Sequence, residues 1–216
     1  MTPKLLPLLL AAASAADLPP LPAEAAELAY TREARRQSGS IAYIRSDGAW
    51  EGYWPRGDAE YVEYTVSGKA QLNDGFHIVL KPGLGLMLTF ADRRKFASGP
   101  DLLEAHKQWE LAYWRRKAGQ VEARDRSDLA GGRSDIKITE LSLTQEGEPM
   151  RACLIGAAAP DGVFAFAVSP VSTGDDALVR RIADSIRVVK HPLDIAAVTA
   201  RIKAKGSAAP PAQRQH

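Results

Sequence analysis

Three apolar runs separated by two turn signals occupy residues 136 to 168. Ile136 to Leu143 carries Ile136, Ile138, Leu141 and Leu143 in imperfect alternation, and Glu146-Gly147-Glu148-Pro149 then turns the chain. Met150 to Gly156 is apolar, Pro160-Asp161-Gly162 turns the chain again, and Val163 to Val168 is apolar once more. Runs of this length between Gly- and Pro-bearing turns read as an antiparallel meander of three strands. A helix follows over Asp175 to Ile186, with Ala177, Leu178, Ile182 and Ile186 as its inner side. Arg187 to Lys190 reads as a short extended piece, and Asp194 to Lys205 as an amphipathic helix through Ile195, Val198 and Ile202. Strands in one set, with helices between and after them, predict an α+β fold: an antiparallel sheet flanked by helices, an αβα sandwich.

The upstream half carries the same kind of signal. Ile41 to Arg45 and Ala49 to Trp54 flank Ser46-Asp47-Gly48 and read as a hairpin. Tyr61, Tyr64 and Val66 mark a further strand, Phe76 to Lys81 another, and Leu86 to Phe90 a third beyond Pro82-Gly83. Asp101 to Lys117 reads as the main helix, with Ser98 or Asp101 as its cap. Leu102, His106, Trp109 and Tyr113 form its stripe, and Arg115-Arg116-Lys117 closes it where cations favour the helix dipole. Ala23 to Arg36 is rich in Ala, Glu, Leu and Arg, so a peripheral helix is expected there, although its apolar face is thin.

Met1-Thr2-Pro3-Lys4, the run Leu5 to Leu10 and the small residues Ala11 to Ala16 have the layout of a secretory signal peptide. Cleavage is expected after Ala15 or Ala16, which predicts a periplasmic or secreted protein. The apolar run is far shorter than the roughly 20 residues of a membrane span. The resulting division is 1–16 signal peptide, 17–39 Pro-rich leader and peripheral helix, 40–205 a single α+β domain, and 206–216 a disordered polar tail. The formal charge is +2, and loss of Lys4 with the signal leaves +1. So small an excess gives no electrostatic case for nucleic acid. Cys153 is the only cysteine, which excludes an internal disulfide and leaves stability to core packing. Its apolar surroundings, Ala152-Cys153-Leu154-Ile155, suit a buried thiol better than a reactive one.

Two strands across a turn, Arg151–Ala157 and Val163–Pro170, lead into a helix ending Ala183-Asp184-Ser185-Ile186-Arg187-Val188. This closing element resembles that of the Mog1/PsbP-like fold group, over about a quarter of the chain. The resemblance implies an αβα sandwich and a protein of accessory, assembly or binding type rather than an enzyme. Trp54-Pro55 is a loose echo of the group's Pro-x-x-Trp turn.

No catalytic, cofactor or metal motif stands out. His77, His106, His191 and His216 lack His-x-x-x-His spacing. Ser134-Asp135-Ile136-Lys137 matches Ser-x-x-Lys, yet Gly131-Gly132 just upstream argues against the helix this pair needs. Trp50, Tyr53, Trp54, Tyr61 and Tyr64 concentrate aromatics near the first hairpin, joined by Tyr43. They suit either a binding surface for a peptide, glycan or partner protein, or a cover for the sheet core. The leading expectation is an exported, non-catalytic binding or assembly protein of a bacterial-type cell envelope, with an envelope protein or peptide as partner and no cofactor. The alternatives are a periplasmic hydrolase drawing on Ser134, Lys137 and His106, and an accessory subunit of an envelope complex. The sequence leaves oligomeric state open.

Overall fold

The computed structural model describes residues 28–194, apart from 33–39, 47–48, 57–59, 67–70, 73–76, 97–98, 119 and 146, together with 196–197 and 200. The first strands are β1 (Leu28–Arg32), β2 (Ser40–Ser46), β3 (Ala49–Arg56) and β4 (Glu60–Val66). Next come β5 (Gln71–Leu72), β6 (His77–Lys81) and β7 (Leu84–Asp92), and then helix α1 (Leu102–Ala118). The second half holds β8 (Val121–Asp125), β9 (Ile136–Gln145), β10 (Glu148–Ala159), β11 (Gly162–Ser169), helix α2 (Asp176–Ser185) and β12 (Arg187–Val189). The strands form two antiparallel sheets, a smaller one in the order β1-β2-β3-β4-β12 and a larger one in the order β5-β6-β7-β11-β10-β9-β8.

The α+β expectation holds, and the meander is the centre of the larger sheet. The αβα layering does not hold, because a second sheet in place of a helical layer packs on one face of the larger sheet. Strand parity explains how the two meet, because alternate side chains project to opposite faces. Trp54, Val62, Tyr64 and Val66 of the smaller sheet share one core with Leu86, Leu88, Phe90, Ile138, Ile155, Phe164 and Phe166 of the larger. Trp54 meets Phe164 edge-on at 5.4 Å between ring centroids, and Tyr64 meets Phe166 in the same way at 5.2 Å. Helix α2 joins this core through Val179, Ile182 and Ala183. Helix α1 covers the opposite face of the larger sheet, with Leu103 against Ala91 and Val163, and Leu111 and Trp114 against Leu141 and Leu143. Its buried stripe is Leu103, His106, Leu111 and Trp114. Trp109 and Tyr113 lie half-buried at its margin. Asp101 caps the helix, its Oδ1 accepting from the Glu104 N–H at 2.9 Å.

One local expectation is overturned. Within the helix expected over Ala23 to Arg36, residues 28–32 form strand β1, paired with β2 from Leu28↔Ile44 to Arg32↔Ser40. The remainder of that span lies outside the described residues. Without a broad apolar face, the segment's helix propensity is a weak preference that a sheet-edge partner overrides. The helix expected over Asp194 to Lys205 lies mostly outside the described residues. Its start is described, where Asp194 Oδ1 accepts from the Ala197 N–H at 2.9 Å.

Gly52 opposes Tyr64 across β3 and β4. A Cβ at position 52 would stand 2.1 Å from the Tyr64 ring, so the glycine is what lets the ring lie across β3. Gly52→Ala is therefore expected to destabilise the fold by about 1–3 kcal/mol through overpacking. In a Tyr64→Ala background the same change should cost much less, which thermal melts of the four chains would show.

Candidate functional site

The densest polar cluster in the described structure lies where β8, β9, β10 and α2 converge. After β8 the Arg126 N–H continues the ladder to the Ile138 carbonyl at 2.8 Å, and a turn over 127–130 follows. That turn buries Leu129 and Ala130 in the main core. The Arg126 side chain is only 8% exposed. Its Nη1 donates to Glu140 Oε2 at 2.7 Å, and its Nη2 donates to Asp176 Oδ2 at 2.7 Å and Asp128 Oδ2 at 2.9 Å. Arg151 reaches Glu140 from β10, with Nη2 donating to Oε2 at 2.6 Å and Nε to Oε1 at 3.2 Å. Both guanidiniums, Arg151 first and then Arg126, hold the Glu140 carboxyl below its ordinary value against the opposing effect of burial.

Cys153 pairs directly with Glu140 across β10 and β9. Burial, assisted by the Glu140 charge, pushes its thiol up to about 11. The thiol therefore stays protonated near neutrality and behaves as a small buried hydrophobe. The cluster is a brace: one guanidinium ties the first turn of α2 to β9 and to the turn after β8. Sequence reasoning did not find it. A usable signal was present, since Glu140 follows Ile136 and Ile138 at core parity, and a carboxylate there requires a buried cation.

A second cluster lies on the other face, under α1. Lys137 Nζ pairs with Glu104 Oε2 at 2.6 Å, and Lys107 Nζ pairs with Asp125 Oδ1 at 2.9 Å. Gln108 Nε2 donates to Glu104 Oε1 at 2.7 Å. Hydrogen bonds from Lys137 first, then Gln108, lower the Glu104 carboxyl to about 2. Its folded pKa lies below the ordinary value of 4.5, so the contribution is present above pH 4.5 and fades as pH falls toward 2. Glu104 is 37% exposed, so solvent screening keeps the effect within about 1 kcal/mol. The melting temperature of Glu104→Gln should lie below that of the parent at pH 7 and converge on it between pH 4.5 and 2.

Of the three residues considered for hydrolysis, Lys137 and His106 come to the same face and Ser134 does not join them. Lys137 opposes Gly156 across β9 and β10, and His106 lies above Gly156, 3.8 Å from where a Cβ would be. Ser134 is exposed on the turn before β9, and the backbone from 134 to 137 runs from turn into strand instead of through a helical turn. For Lys137, burial favours the neutral amine, but Glu104 and Asp125 outweigh it and the net shift is upward. A lysine acting as a base needs the reverse. His106 is buried between Phe96 and Trp109, at ring-centroid distances of 5.7 and 6.0 Å. Its Nε2 faces Glu110 Oε1 at 3.6 Å.

The aromatic binding surface is overturned for the four residues whose side chains are described. Tyr53, Trp54, Tyr61 and Tyr64 are all buried. Trp54 and Tyr64 face the shared core, while Tyr53 and Tyr61 are on the opposite side of the smaller sheet by parity and are covered there too. Rings of this size gain more from leaving water than a free surface allows. The Trp50 side chain lies outside the described residues. Among the described residues, no group of three or more His, Cys, Asp or Glu could hold a metal ion, and no helix is long and apolar enough to cross a membrane. No protein-family model, curated protein or solved structure matches the chain.

Proposed function

We propose that the chain is an exported, non-catalytic binding or assembly protein of a bacterial-type cell envelope, built on a Mog1/PsbP-like sandwich. The observation that carries this reading is how the buried and half-buried ionisable groups are used. Arg126, Glu140 and Arg151 close one brace between elements, and Glu104 and Lys137 anchor another. A Ser–Lys mechanism would need Lys137 neutral and close to Ser134, and the fold instead holds the amine charged against Glu104. The fold part of the reading rests on the sequence resemblance of the α2–β12 ending, in which Ile186 enters the core and β12 pairs with β4. The layout of residues 1–16 supports export.

Expression of the full chain in a bacterial host, followed by fractionation and N-terminal sequencing, tests the export claim. A periplasmic product beginning at Ala16 or Asp17 is expected, and an intact cytoplasmic chain would defeat it. A fluorophosphonate probe tests the absence of catalysis. Labelling that maps to Ser134 and disappears in Lys137→Ala would replace this reading with the hydrolase. Cross-linking in envelope extract should yield a partner in fixed stoichiometry, retained when Ser134 is changed to Ala.

A further inference from the structure

Strand β8 ends the larger sheet, and among the described residues nothing pairs with its other edge. Glu122, Ala123, Arg124 and Asp125 are all exposed. The backbone groups that this edge offers follow from the ladder on the β9 side. One step beyond the Asp125↔Thr139 pair, in the same register, the Arg126 N–H donates to the Ile138 carbonyl. Hydrogen-bonded pairs alternate along an antiparallel ladder, so Arg124 and Glu122 also bond inward to β9. The N–H and C=O groups of Val121, Ala123 and Asp125 then point outward, to the open edge.

An open edge invites other strands, and charged side chains are the usual guard against them. On β8 the guard is Glu122 and Arg124, which by register stand opposite Ser142 and Glu140 on one side of the sheet. Among the described residues neither has an ion-pair partner, and Arg124 reaches Asp128 only as a minor through-space charge. The two are of opposite sign and flank Ala123, whose small side chain is exposed on the other side of the sheet. A strand of the same sequence, run antiparallel, meets this pattern with its own complement.

We propose that two copies of the chain join β8 to β8, antiparallel, about a two-fold axis at Ala123. Ala123 then faces itself and Val121 faces Asp125 of the second copy. Each of these pairs exchanges both backbone hydrogen bonds, using the groups that point to the open edge. Glu122 of each copy faces Arg124 of the other in the non-hydrogen-bonded positions, where side chains come closest. Charge and backbone together fix the register. A slip of one residue sets outward backbone groups against inward ones and loses the ladder. A slip of two sets Glu122 against Glu122 or Arg124 against Arg124. The same edge serves both copies, so the assembly closes as a dimer. A strand of five residues is small for an interface, so the dimer exchanges with monomer and depends on concentration. The pairing does not depend on which envelope partner the protein binds.

Sedimentation velocity of the full chain, from micromolar to millimolar concentration, tests this. The parent should show a monomer–dimer equilibrium. Glu122→Arg and Arg124→Glu should each raise the dissociation constant about tenfold, since each sets like charges opposite one another in both cross-strand pairs. Mixing the two variants is the decisive arm. Their facing positions then carry opposite charges throughout, and a heterodimer about as tight as the parent dimer is expected. Ala123→Pro removes the outward donor at the axis without touching the ladder to β9. It should abolish the dimer while the dilute chain keeps its cooperative melt. A parent that stays monomeric at millimolar concentration would overturn the proposal. So would a dimer that either charge reversal leaves unweakened, or one that fails to re-form on mixing. If a charge-reversed chain does not fold, Ala123→Pro decides: persistence of the dimer overturns the pairing, and its loss supports it.

Discussion

Trp54→Ala is expected to lower stability by about 3–5 kcal/mol, the range for truncating a fully buried aromatic. Trp54 is 1% exposed and sits on the seam between the two sheets. Its ring meets Phe164 edge-on, and Phe164 in turn meets Phe90 at 4.9 Å. Truncation would leave a cavity lined by residues of both sheets, and neither can collapse into it without breaking strand pairing. For a chain of this length the melting temperature should fall by on the order of 10 °C. A change of under about 1 kcal/mol would mean that Trp54 lies near water and would revive the aromatic-surface reading. A double cycle with Phe164→Ala should show coupling, since the partner ring would already have lost its edge contact.

How much of this was legible beforehand differs from element to element. The meander was readable because β9, β10 and β11 are joined by short turns, so each partner is the next segment of chain. The smaller sheet was harder to read. Its β3–β4 pairing is local, but β12 returns to β4 from more than 120 residues away, and nothing in either segment encodes that distance. β8 escaped notice because four of its five residues are exposed, as on an edge strand, so it has no apolar run. β1 was misread as helix because composition reports local preference and pairing is non-local. The aromatics illustrate a different limit. Their density near the first hairpin correctly marked a place where much apolar area gathers. Density does not say what lies opposite: Phe164 and Phe166 meet Trp54 and Tyr64 on one side, and His191, just after β12, meets Tyr61 on the other. Among the charged residues, parity was the overlooked guide, since Glu140 shares the inward side of β9 with two core isoleucines.

Arg126→Met should destabilise the fold by about 3 kcal/mol, the lower end of the range for removing one partner of a buried charge cluster. The lower end applies because Arg151 still holds Glu140 after the change, with Nη2 at 2.6 Å. What disappears is the shared fork that fastens Asp176, at the start of α2, to β9. The loss should depend on pH with a definite sign. The Glu140 carboxyl lies below its ordinary 4.5 in the folded parent, so its contribution is present above pH 4.5 and declines as pH falls through the folded value. Removing Arg126 takes away part of that depression. Parent and variant should therefore differ most near neutrality and approach one another in acid, as urea titrations from pH 7 downward would show. Changing Glu140→Leu in addition should cost less than the sum of the single changes by about 1–3 kcal/mol, because neither charge is then left buried without its partner. Strict additivity would instead mean that Arg126 acts mainly through Asp128 and Asp176, and the brace would then reduce to a surface tie between α2 and the turn after β8.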